Sequence, residues 1–242
     1  MELKICHLYQ DILNLYGERG NIIAMEKRLA WRGISVETVG VSMGEKLNAN
    51  DFDLFFIGGG QGFEQDLLLR DLSGEKAPEL KAAVEDEKPL LAIDCGFEML
   101  GNYFRDLDGI QHDFTGILDI YTLASQKRMT GDCMFKRCEG EGETVVGFEN
   151  HSGKTYLGKN VRPLGQMLCG FGNNGEDGTE GARYKNVFAS YLHGSLLPKN
   201  PTLCDDILRA ALVRKYGSAE LAPLDDTLEN NARTCMIERL TK

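Results

Sequence analysis

Residues 90–101, LLAIDCGFEMLG, run from a buried apolar strand through a turn into a stretch of good helix formers. That order is the layout of a nucleophile elbow: a reactive side chain sits on a strained strand-to-helix turn, and backbone N–H groups nearby can stabilise an oxyanion. The positive end of a helix also lowers a thiol's pKa and raises its thiolate fraction. Asp94 and Cys95 compete for the tip. The backbone folds back on itself there, so the residues two places before and after must be small. Asp94 at the tip puts Ala92 and Gly96 in those places, whereas Cys95 at the tip puts Ile93 and Phe97 there. Sterics favour Asp94. Amide hydrolysis favours Cys95, because a carboxylate attacks an amide poorly.

His193 follows the apolar run 187–192 and precedes Gly194, a strand terminus from which an imidazole reaches a crevice. Imidazole titrates near neutral pH and can take a proton from a thiol. Neither Gly194 nor Ser195 carries an acid to orient it. After Ile57 comes the loop Gly58-Gly59-Gly60-Gln61-Gly62, whose backbone can approach a ligand with its N–H groups open, as a second oxyanion donor beside the elbow. It is no dinucleotide fingerprint, since Phe63 stands where that motif needs glycine. Residues 147–155, around His151, end like a phosphate-binding P-loop, but Phe148 occupies its first glycine position, and a polar loop is expected instead. Cys133 and Cys138 have no second close pair, so no metal site is expected.

The elements that must position these groups follow a clear rhythm. Apolar runs at 3–8, 34–39, 54–57 and 90–93 alternate with amphipathic stretches at 22–31 and 80–85, which predicts an α/β fold with a mostly parallel sheet flanked by helices. Ligands in such sheets sit beyond the carboxyl ends of the strands, so the loops after Ile57 and Ile93 are the places for chemistry. Past Gly101, strand-like pieces at 121–123, 144–148 and 187–191 are expected to extend the sheet and its edge, and 170–181 reads as a surface loop. Residues 203–216 and 225–240 have helical character, giving one domain over 1–216 and a C-terminal helical extension, 217–242, packed on it. A net charge of −10 argues against nucleic acid as a partner. No apolar run approaches the roughly 20 residues that span a bilayer, and seven cysteines without secretory context read as reduced thiols in a cytoplasmic protein.

Several segments stand in a telling order: Leu8-Tyr9, Asn14-Leu15-Tyr16-Gly17, Gly20-Asn21, residues 57–65, the elbow, residues 147–153, Tyr184-Lys185-Asn186, Tyr191-Leu192-His193-Gly194 and Pro198-Lys199-Asn200. Over nearly the whole chain they resemble the GatD-type glutamine amidotransferase subunits of lipid II isoglutaminyl synthase, relatives of the cobyric-acid-synthase-like class I amidotransferases. The resemblance implies a class I amidotransferase fold and a subunit that hydrolyses glutamine. Its ammonia would pass to a Mur-ligase-like partner that uses ATP to amidate the D-glutamate of lipid II, with no cofactor in this chain. His193 would be the base, Arg128 would help hold glutamine, and Gly60 and Glu98 would line the same pocket. The acid behind His193 need not come from this chain and could come from the partner. Relatives of this type read Ala-Ile-Cys-Gly-Gly-Phe/Tyr-Gln at the elbow, which lays their cysteine on Asp94 and their glutamine on Glu98. Either the turn is rebuilt so that Cys95 attacks, or the chain keeps the fold and partner with impaired glutaminase activity.

Overall fold

The computed structural model describes residues 1–60, 62–140 and 142–242, with the backbone alone at residues 62, 63, 64 and 66; Gln61 of the glycine loop lies outside the described residues. In chain order, the first half comprises β1 (Glu2–Leu8), α1 (Arg19–Ala30), β2 (Ser35–Val41), β3 (Leu54–Ile57), α2 (Gly62–Asp71), α3 (Ala77–Glu85), β4 (Leu90–Ile93) and α4 (Cys95–Met99). Then follow β5 (Tyr103–Arg105), β6 (Gln111–Asp113), β7 (Ile120–Arg137), β8 (Thr144–Leu157), β9 (Gly165–Cys169), β10 (Thr179–Glu180), β11 (Ala182–Tyr184), β12 (Val187–Ser190), α5 (Pro201–Tyr216) and α6 (Thr227–Leu240).

One sheet has the order β11-β12-β4-β3-β1-β2, parallel throughout except for the antiparallel edge strand β11. Its central strands are short unbroken apolar runs because helices cover both faces. Side chains alternate across it: Leu90 and Ala92 join the core on one face with α3, while Leu91 and Ile93 join the other with α1 and α5. The carboxyl ends of β1, β3 and β4 and the chain beyond β12 therefore converge on one rim.

The second half departs from the expected extension of that sheet. Only β11 and β12 join it; β7 and β8 form a long antiparallel pair within a second sheet of order β10-β9-β7-β5-β6. Hydrophobic periodicity marks strands without saying which sheet they pair into, and these pairings span up to dozens of residues. Both core clusters mix side chains of the two sheets, Ile120 with Phe55 in one and Phe135 with Leu3 in the other, so the sheets share one body. The segment 170–181 is also less superficial than its composition suggests. Asn173 and Asn174 are buried, Asn173 bonding Gly181 O and Asn174 bonding Thr155 O, and Glu149 accepts from the N–H groups of Phe171 and Gly172.

α5 ends at Gly217, whose φ of 82° is the left-handed conformation that closes a helix. Residues beyond it run back over α1, where Arg28 bridges Asp205 at 2.6 Å and Asp226 at 2.5 Å and Arg32 donates to Ala222 O. α6 buries no residue and is tied down by ion pairs, Arg233 with Glu143 and Arg239 with Asp132. No described helix is long and apolar enough to cross a membrane.

Candidate active site

The chain leaves β4 at Ile93 and enters α4 at Cys95, so the turn falls on Asp94, with φ 51° and ψ −118°. A non-glycine residue held there stores roughly 1–3 kcal/mol of strain. Two hydrogen bonds fix it: Asp94 N–H to Ser190 O at 2.9 Å and Glu98 N–H to Asp94 O at 3.0 Å. A Cβ on Gly96 would lie 2.7 Å from Gly58 O, which is why the second place past the tip is glycine. The turn thus falls where the small residues Ala92 and Gly96 put it, on Asp94. Cys95, 4% exposed, is the first helical residue; it packs with the core cluster and contributes to the wall of the cavity in front.

His193 is wholly buried and anchored by its N–H to Phe148 O at 2.7 Å. Its Nε2 faces Asp94 Oδ1 at 3.7 Å and has no hydrogen-bond partner among the described residues. Its Nδ1 lies 3.1 Å from Glu18 Oε1. An acid of this chain, Glu18, therefore stands in the orienting position behind the imidazole. Glu18 reaches His193 because the turn before α1 is clamped to the segment after His193. Ser195 donates to Gly17 O at 2.7 Å, and a Cβ on Gly20 would strike Ser195 Oγ at 2.0 Å. Asn21 then donates to Glu18 Oε2 and accepts from Leu197 N–H. Glu18 stands between the quoted Gly17 and Gly20-Asn21; its signal was an acid among glycines beyond the carboxyl end of β1. Tyr16, at φ 57°, sets its ring edge-on to His193, 5.0 Å between centroids.

Burial governs the electrostatics. Removal from water pushes Asp94 up to about 6, with His193 pulling it back and Glu98 adding to the rise. It pushes Glu18 up to about 8, opposed by the Asn21 bond, and holds His193 below its ordinary value. The Cys95 N–H donates to the Asp94 carboxylate, the kind of bond that oxyanion donors make.

In front of the tip lies a cavity of about 420 Å³, bounded by Tyr16, Gly60, Gln65, Asp94, Cys95, Glu98, Arg128 and His151 among others. Gly60, Glu98 and Arg128, the expected binding residues, all stand on its wall. The register of β7 against β8 shifts between Ala124 and Met129, and this irregularity brings Arg128 out to the pocket. Arg128 Nε donates to Asn150 Oδ1 at 2.5 Å, and Asn150 in turn donates to the Tyr16 hydroxyl. Glu98 is buried and raised by desolvation; it accepts from the Tyr191 hydroxyl at 2.7 Å and from Gln65 Nε2 at 2.9 Å. Gly153 has no room for a side chain, since its Cβ would fall 2.0 Å from Glu98 Oε1. His151 stacks on Tyr191 with ring centroids 3.7 Å apart and turns Nδ1 to Gly153 O. The sequence pointed to a polar loop around His151, which instead lies within β8, and Asn150, Gln65 and Tyr191 stood in the quoted segments without a role. The pairing of β8 with β7 and the approach of α2 to α4 place them, and no local motif marks either.

Elbow, glycine loop and histidine share a rim across which residues 4–201 match the CobB/CobQ-like glutamine amidotransferase domain. The chain belongs to that family. It is 41% identical to the lipid II isoglutaminyl synthase (glutamine-hydrolyzing) subunit GatD of Staphylococcus aureus, over 100% of this chain and 97% of the relative. With the subunit of the same name from Streptococcus pneumoniae it shares 38% identity, over 94% of this chain and 87% of the other. Among solved structures, PurLQS of Thermotoga maritima superposes with a TM-score of 0.59 at 18% identity, covering 88% of this chain and 98% of that one. The glutaminase domain of Trypanosoma brucei CTPS, with bound acivicin, gives 0.57 at 10% identity, covering 91% and 96%. At such identities the structures speak for the fold alone, a class I glutamine amidotransferase fold.

Proposed function

We propose that this chain is the amidotransferase-type subunit of a lipid II-amidating complex. Its partner is a Mur-ligase-like synthetase that uses ATP to amidate the D-glutamate of the stem peptide, and the pair works in the cytoplasm with no cofactor in this chain. What carries the reading is the 41% identity with a GatD subunit along its whole length. A pocket with a basic residue at one wall and an elbow at the other supports it.

Hydrolysis of glutamine by the family's route needs a thiolate at the tip, deprotonated by the histidine. In this chain that role would fall to Cys95, one place beyond. Asp94 faces the imidazole instead, at 3.7 Å, which favours the glutaminase-impaired form of the reading: the fold and partnership are kept, and ammonia reaches the ligase from solution. The test is to reconstitute the chain with its partner ligase, ATP and lipid II, supplying ¹⁵N-amide glutamine or ¹⁵N-ammonium. Incorporation from ammonium at a rate at least about tenfold above that from glutamine is expected, the margin a missing nucleophile leaves. Equal incorporation from glutamine would defeat the impaired form, and none from either source would defeat the assignment to this complex.

A further inference from the structure

We infer that Asp94, His193 and Glu18 form a site that takes up an ammonium ion and removes one of its protons. The inference deepens the impaired form of the reading above and rests on it for its biological use, but its binding step can be judged on the full chain alone.

The first observation is a gap. Asp94 Oδ1 and His193 Nε2 face each other at 3.7 Å, too far to bond directly, and Nε2 is completely buried with no partner among the described residues. A nitrogen at about 2.9 Å from both atoms spans that separation. Buried polar atoms are nearly always satisfied, so a missing partner here points to a ligand. The second observation is the glycine packed against the same two groups. A Cβ placed on Gly59 would come 3.0 Å from Asp94 Cβ, 3.1 Å from Asp94 Oδ2 and 3.3 Å from His193 Cε1, closer than ordinary contact, so a side chain there would crowd both groups. The third is the character of this end of the pocket. Glu98 is a second carboxylate on the wall, and Gln65 spends its amide N–H on Glu98, leaving its carbonyl oxygen as the acceptor. Asp94, Glu98 and the Gln65 carbonyl thus gather acceptors at this end, which suits a small cation rich in N–H groups, while Arg128 and His151 stand on the same cavity wall.

The far side of the imidazole completes the step. With Glu18 ionised, Nδ1 carries the proton and Nε2 offers its lone pair to the ion. One N–H bond of ammonium breaks as its proton passes to Nε2, and the Nδ1 proton passes to Glu18 across 3.1 Å. The products are neutral ammonia, a neutral imidazole of the other tautomer and a neutral Glu18 acid; total charge and protons are unchanged. Burial pushes Glu18 up to about 8, so it holds that proton firmly once received, and the ionised form that begins the step gains population as pH rises toward 8. Asp94 keeps its charge and holds the nitrogen throughout. Asp94 is thus the binding group and Glu18 a positioning and proton-storing group acting through His193.

The test follows the ¹⁵N resonances of the His193 imidazole in the full chain during titration with ammonium chloride. Tetramethylammonium chloride, which has the charge and no N–H, keeps the ionic strength fixed. A saturable shift of Nε2 is expected in the wild type, with affinity weakened about tenfold or more by Asp94→Asn. Asparagine tolerates positive φ, so that variant keeps the turn, and Gly59→Ala, which crowds Asp94 and His193, should weaken binding independently. In the reconstituted complex Glu18→Gln should still bind ammonium yet lose about tenfold in ammonium-fed amidation. No shift, an equal shift with tetramethylammonium, or a shift elicited by ornithine and not by ammonium would overturn the site. Failure of the complex to amidate lipid II while the shift persists would fault the partner assignment and not this binding site.

Discussion

The two walls of the pocket are built on different principles. At the rim of the parallel sheet, Asp94, His193 and Glu18 are buried and set by backbone: a strained turn, glycines that admit close approach, and hydrogen bonds from main-chain groups. On the second sheet, Arg128 and Asn150 are more exposed and set by a chain of side-chain bonds ending at Tyr16. Asp94 occupies the turn of the elbow, with His193 facing it at 3.7 Å and Glu18 behind the imidazole. Scaffold and chemistry are separable at this rim, because the turn is specified by Ala92 and Gly96 and not by the tip residue itself.

The sharpest way to break this contrast is to restore a thiol. Asp94→Cys should raise glutamate release from glutamine by about a hundredfold or more over the wild type in a coupled assay, since the base and its acid are already in place. No gain would mean that the second wall has changed as well. Next comes the turn. Gly96→Ala forces a Cβ against Gly58 O and should lower unfolding free energy by about 1–3 kcal/mol in denaturant titration. A neutral outcome would show the glycine to be incidental.

A subtler effect concerns pH. Glu18 binds its proton more tightly folded, about 8 against 4.5, and Asp94 does likewise, about 6 against 3.8. The native state therefore binds more protons than the unfolded chain, and these groups stabilise the fold most at low pH. That contribution should decline as pH rises from about 3.8 to about 8, and Glu18→Gln should flatten the upper part of the decline in thermal melts. A slope left intact would place the titration elsewhere. Last, Cys95→Ser should leave glutamate release where it was, while the hydroxyl placed in the core costs about 1–3 kcal/mol of stability.

The same division explains what the sequence made legible. The parallel sheet, the elbow and the candidate rim were readable because each is a local pattern: an apolar run, small residues at fixed offsets, a histidine at a strand end. Residues two places away favoured Asp94 at the tip on steric grounds, while the chemistry of amide hydrolysis kept Cys95 in contention. The second sheet was not readable as such, because pairing of residues 120–137 with 144–157 and their neighbours is a long-range choice that alternation leaves open. Glu18 was hidden for a related reason. It lies 175 residues from His193 in the chain, and the contact exists only because Gly17 and Gly20 let that turn settle against Ser195.

The central claim is that residue 94 holds the reactive position and Cys95 does not. Its most direct test is peptide mapping by mass spectrometry after treatment with an electrophilic glutamine analogue. The account predicts no adduct on Cys95 in the wild type and a stoichiometric adduct at position 94 in the Asp94→Cys chain. Glutamine-protectable labelling of Cys95 in the wild type would contradict it.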